Sequence, residues 1–122
     1  MTLIAHMAAS NDLTADVLAK LAEHKVDLTD EEHDLIADAS RAYHGECLTW
    51  YAREGADWVL YGIPNWPESY FWDEFPSSVY FRCSAELRDA LKDLIGAHKA
   101  VLVARWRAAE TLQRAVSENV AE

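Results

Sequence analysis

The chain has 122 residues, with 21 Asp/Glu against 11 Lys/Arg, a net charge of −10 and a pI near 4.8. That length supports one domain with a continuous core and no need of metal or disulfide, so residues 1–122 are read as a single helical domain. Such an acidic balance argues against direct binding to nucleic acid or to anionic lipid, because both repel it.

In chain order, Met1 to Ala9 is apolar but very short and has no basic n-region, which argues against a signal peptide. No stretch approaches the ~20 apolar residues of a membrane span. The first helix is predicted near residues 12–25, from Leu13, Val17 and Leu21 at i, i+4 and i+8 with Leu18 beside them. Ser10, Asn11 or Thr14 supplies its cap, and Val26-Asp27-Leu28 is a short turn. A second helix is predicted near 30–54. Thr29-Asp30-Glu31-Glu32 has the capping-box pattern, in which the threonine hydroxyl and the third-position carboxylate each take an orphan amide. Ile36, Ala39, Tyr43, Cys47 and Trp50 then recur on one face. Gly55 is the expected stop, and Gly45 is read as a site of close packing.

Residues 56–83 are aromatic and marked by prolines. Asp57–Tyr61 reads as another helical turn or a short strand. Pro67 opens a helix of one to two turns through Trp72. Ser78–Cys83 reads as extended chain or as an early start to the final helix, so a minor strand pair is the most β structure expected. The last helix is predicted near 84–117, capped by Ser84, with a stripe through Leu87, Leu91, Leu94, His98, Val101, Leu102, Arg105, Ala109, Leu112 and Val116. Gly96 is a point where it bends or divides. Lys99, Arg105, Arg107 and Arg114 form a basic patch that complements the helix dipole. Arg105, on an apolar stripe, is expected to pack its stem while its head reaches water or pairs with an acid such as Glu46, Glu54 or Asp57. The fold class is all-α, with three principal helices joined by the aromatic middle.

Chemical signatures are lacking. The histidines, His6, His24, His33, His44 and His98, fall in no H-E-x-x-H, Glu-x-x-His or zinc-type spacing, so neither a metal nor a cofactor is predicted. There is no G-x-S-x-G and no glycine-rich phosphate loop. Cys47 and Cys83 have no C-x-x-C spacing and are expected to be reduced in a cytoplasmic protein. A Cys83–His98 pairing is the one nucleophilic arrangement open to the chain. Asp73-Glu74, between Trp72 and Phe75, is the one carboxylate pair whose apolar neighbours suit a raised pKa, as glycoside hydrolysis requires.

Charge and rings are distributed unevenly. Residues 1–76 hold 15 Asp/Glu against 4 Lys/Arg, a net of −11, while residues 77–122 hold 6 against 7. Asp27, Glu31, Asp34 and Asp38 follow at spacings of 4, 3 and 4, which lines them along one helix edge over roughly 16 Å. Twelve of the thirteen aromatic residues lie between Tyr43 and Phe81. Tyr43, Trp50 and Trp106 sit at inward helical positions. Trp66, Tyr70, Phe71, Trp72 and Phe75 crowd a short segment, part of which is read as a contact surface.

In size, acidity and lack of enzymatic motifs, the chain resembles the small acidic phage-encoded inhibitors of bacterial defence, anti-CRISPR proteins among them. The resemblance covers size and composition. It implies a compact domain that occludes a basic, nucleic-acid-binding surface of a target protein. The resulting expectation is a non-enzymatic binding protein, with Asp27, Glu31, Asp34 and Asp38 steering the encounter and Trp66, Tyr70, Trp72, Asp73 and Glu74 making contact. An alternative is a structural or regulatory homo-oligomer, such as a homodimer, packing through the aromatic segment. A third is a hydrolase using Asp73/Glu74 or a histidine-bound metal.

Overall fold

The computed structural model describes residues 13–121, with side chains to residue 117. Its elements are α1 (Leu13–Glu23), α2 (Asp30–Tyr61), a 3-10 turn (Trp66–Glu68), α3 (Ser69–Glu74), α4 (Ser77–Tyr80) and α5 (Ala85–Ala121). No strand occurs among the described residues, so the expected strand pair does not form. A lone strand between two long helices leaves its backbone groups unpaired, whereas helical turns satisfy them locally. Phe75 N–H donates to Phe71 O, and Phe81 N–H to Ser77 O, each at 3.0 Å. Of the predicted caps for α1, Ser10 and Asn11 lie outside the described residues, as does His6.

Local sequence sets most helix ends. At the end of α1, Val26 N–H bonds to Leu21 O and Lys25 N–H to Ala22 O, both at 3.0 Å, with Lys25 left-handed at φ 58°. That pair of bonds is a Schellman stop. Both halves of the capping box form at the start of α2: Glu32 N–H donates to Thr29 Oγ1 at 3.1 Å and Thr29 N–H to Glu32 Oε1 at 3.0 Å. The other end of α2 departs from the expectation. The helix passes through Gly55, takes in Asp57–Tyr61 as helical turns, and stops at Gly62 with φ 98°. Gly55 is a packing residue, for a Cβ there would fall 2.8 Å from two ring atoms of Tyr51. Gly45 plays no such part, since its missing Cβ would meet nothing within 4 Å.

The chain path follows from side-chain contacts. Residues 62–84 run back along α2: the Trp66 ring meets Trp50 edge-on at 4.8 Å, Phe71 meets Tyr43 at 6.3 Å, and Ser78 and Arg82 reach Glu32. Having returned to the start of α2, the chain lays α5 parallel to it. Tyr43 OH donates to Ile95 O at 3.1 Å, His44 lies 6.0 Å from His98, and Tyr51 lies 5.2 Å from Trp106. α1 packs on both long helices through fully buried Leu13, Val17 and Leu21. Tyr43 and Trp106 are core, as predicted. Trp50 is only part-buried, because it faces Trp66 rather than α5.

The last helix departs from its predicted stripe at Val101, which is exposed, and again beyond Trp106. Trp106 is the last buried residue of α5 among those with described side chains, and Leu112 and Val116 stand exposed beyond it. Arg105 is exposed, so its head reaches water, one of the two expected outcomes; it shares a cleft with Asp16 of α1 and does not pair with Glu46, Glu54 or Asp57.

The two mid-helix glycines of α2 therefore respond oppositely to substitution. Gly45→Ala is expected to stabilise the fold by about 0.5–1 kcal/mol, the ordinary helix preference for alanine. Gly55→Ala is expected to destabilise it by about 1–3 kcal/mol, because the Tyr51 ring must give way. Urea unfolding of the two variants measures both signs.

Candidate binding surfaces

The acidic row is built on α2. Glu31, Asp34 and Asp38 are exposed on the side of the helix away from buried Ile36, Ala39 and Tyr43. Asp27 is exposed too, but it precedes the helix, so three carboxylates follow the helical edge instead of four. The Asp27 backbone is fixed nonetheless, its carbonyl accepting from Arg82 Nη1. Asp38 pairs with Arg41 one turn on, and Asp34 lies 3.9 Å from His33 Nδ1. These are exposed contacts of small energetic weight.

Glu32 belongs to a different structure. Besides capping α2, its carboxylate accepts from Ser78 Oγ at 2.6 Å and Arg82 Nη2 at 2.7 Å. The hydrogen bonds from Ser78, the Thr29 amide and Arg82 hold its pKa down from 4.5 to about 2. It is a tertiary clamp that the capping-box pattern does not reveal, since its partners lie about 50 residues away.

The aromatic segment divides into lining and surface. Phe71 and Phe75 are buried core, while Tyr70 and Trp72 are half-buried and Trp66 is exposed against Trp50 and Tyr70. Trp72 is braced edge-on by Phe71 at 5.1 Å, Phe75 at 5.3 Å and Tyr80 at 5.8 Å. Asp73 and Glu74 are exposed at the end of α3, so the neighbouring rings do not enclose them as a catalytic carboxylate pair requires. A groove of about 360 Å³ opens beside Trp72, with walls from Phe75, Ser77, Tyr80, Phe81 and, across from them on α5, Lys92. The carboxylate row and the rings thus occupy different elements: the outer face of α2 for one, the returning chain for the other.

Other chemistry-bearing residues are turned inward. Cys47 and Cys83 are buried free thiols. Burial pushes the Cys47 pKa up to about 12 and raises that of Cys83 as well, which suppresses thiolate near neutral pH. Cys83 Sγ donates to Val79 O at 3.2 Å, and His98 stands beside His44, so the two are not brought into a nucleophile–base pair. Among the described residues no group of three or more His, Cys, Asp or Glu side chains is placed to hold a metal ion. Lys99, predicted in a surface patch, is only 3% exposed and binds Pro64 O and Glu68 Oε1, the latter at 3.2 Å. No helix among the described residues is long and apolar enough to cross a membrane.

The chain matches no protein-family model, and neither a curated protein nor a solved structure is significantly similar to it.

The Glu32 clamp carries a pH signature. Because its pKa is lowered on folding, the stability it contributes is complete above about pH 4.5 and is lost as pH falls through about 2. Glu32→Gln is expected to flatten the dependence of the urea midpoint on pH within that window, and to leave it unchanged in slope above it.

Proposed function

We propose that this chain is a non-enzymatic inhibitor that offers the outer face of α2 to a basic, nucleic-acid-binding surface of a partner protein. The observation that carries this reading is the exposed run Glu31, Asp34 and Asp38 on a rigid 32-residue helix, headed by Asp27. Charge fixed on a rigid helix raises the encounter rate with an opposite surface and mimics the phosphate row it displaces. Rings exposed on the returning chain, Trp66 and Phe81 among them, supply further contact area. Burial of Cys47 and Cys83 as free thiols suits a reducing, cytoplasmic setting.

The test is kinetic. With a captured partner immobilised, Asp34→Lys with Asp38→Lys is expected to slow association by about tenfold or more, and raised salt to reproduce the effect. Nucleic acid should compete for the same partner. Association that ignores both salt and charge reversal removes the reading. Both side chains lie outside the core, so the double variant should keep the wild-type circular dichroism spectrum.

A second reading, self-association, rests on residues other than the expected ones. Phe71 and Phe75 are consumed by the core, but Leu60, Tyr61 and Leu112 are 73%, 84% and 67% exposed at the far ends of α2 and α5. A dimer seen by light scattering and abolished by Leu112→Lys supports it.

A further inference from the structure

The groove beside Trp72 has the features of a small-molecule site. Its volume of about 360 Å³ falls within the range of roughly 300–1,000 Å³ that ligand pockets occupy. Its walls are held in place without a ligand. Tyr80 is clamped by Arg88, whose guanidinium lies 4.2 Å over the ring and whose Nε and Nη2 donate to Tyr80 O at 3.1 and 2.9 Å. Tyr80 in turn meets Trp72 at 5.8 Å and Phe81 at 5.7 Å, both edge-on. Phe81, another wall residue, is 76% exposed, a large ring left in water. Pre-fixed aromatic walls favour a flat, apolar body, since little side-chain freedom is lost on binding.

Charge supplies the other half of the recognition. In a chain with 21 acidic residues, the one charged residue lining this groove among the described residues is a cation, Lys92, and no carboxylate among them lines it. Asp73 and Glu74 lie nearby on α3 but point no wall into the space. An anion therefore meets an ammonium against an apolar floor, while the surrounding acid disfavours multiply charged ligands such as phosphates. The Ser77 hydroxyl adds a hydrogen-bonding group. We propose that the groove binds a planar aromatic monocarboxylate, its ring between Trp72 and Phe81 and its carboxylate on Lys92. This site stands apart from the acidic face of α2 and does not depend on that face binding a partner.

Indole-3-acetate is a suitable probe, with tryptamine as its cationic counterpart, in two-dimensional amide NMR of the full chain. Indole-3-acetate is expected to give saturable shifts confined to residues 72–81 and the turn around Lys92, with a Kd below about 1 mM, and tryptamine to bind at least about tenfold more weakly. Lys92→Met should weaken indole-3-acetate by about tenfold while Lys92→Arg holds it within about threefold. Phe81→Ala, which removes an exposed ring and leaves the core intact, should weaken both probes. Equal binding of the two probes, indifference to Lys92→Met, shifts that map elsewhere, or no saturable shift overturns the proposal.

Discussion

The whole arrangement depends on bringing the chain back along α2 so that α5 can start where α2 starts. Two long helices that run parallel cannot be joined by a short turn, and the 23 residues between Tyr61 and Ala85 cover that return. The segment is fastened at both ends by a cation. Near its start, Lys99 of α5 binds Pro64 O and Glu68; at its end, Arg82 binds Glu32 and the carbonyl of Asp27. Ion pairs of this kind set register more than they add stability, because desolvation offsets much of the attraction. The attraction along the length comes from rings: Phe71 packs against Tyr43, Phe75 packs one helical turn on against Phe71, and each buried aromatic of this size contributes about 1.5–3 kcal/mol.

That constraint explains the aromatic density. A 23-residue segment with short helices has little regular surface to bury, so it needs large side chains to seal a long seam. Phe71 and Phe75 face the core, Trp66 and Tyr70 lie over Trp50, and Trp72 with Tyr80 roofs the groove beside α5. Sealing and contact are divided between neighbours in sequence, according to which side of a short helix each occupies.

How much was legible follows from range. The capping box at Thr29, the Leu13–Val17–Leu21 face and the helical middle of α5 are local patterns, and all three form. The extension of α2 past Gly55 was hidden because glycine serves either a stop or a tight contact, and only the Tyr51 ring decides between them. Trp50 reads as core by spacing, yet its neighbour is the returning chain. Lys99 reads as a surface cation because its acceptors lie 31 and 35 residues away. The exposure of Asp34 and Asp38 was legible from helical spacing, whereas the Lys92 groove was not, since its walls meet only once the return is folded.

The electrostatic asymmetry of the molecule goes beyond its composition. Three of the seven cations in the second half of the chain are drawn to internal partners: Lys99 to a carbonyl and Glu68, Arg82 to Glu32 and a carbonyl, Arg88 to the ring and carbonyl of Tyr80. The carboxylates they meet, Glu32 and Glu68, are the ones turned inward, while Glu31, Asp34 and Asp38 remain on the surface. Folding therefore sorts charge. It uses these three positive residues as fasteners for the returning segment and leaves Glu31, Asp34 and Asp38 on the outer face of α2, where Arg41 pairs with Asp38. A field concentrated on one rigid face acts over about a Debye length, roughly 8 Å at physiological salt, so only a partner surface that approaches closely and carries matching cations feels its full strength.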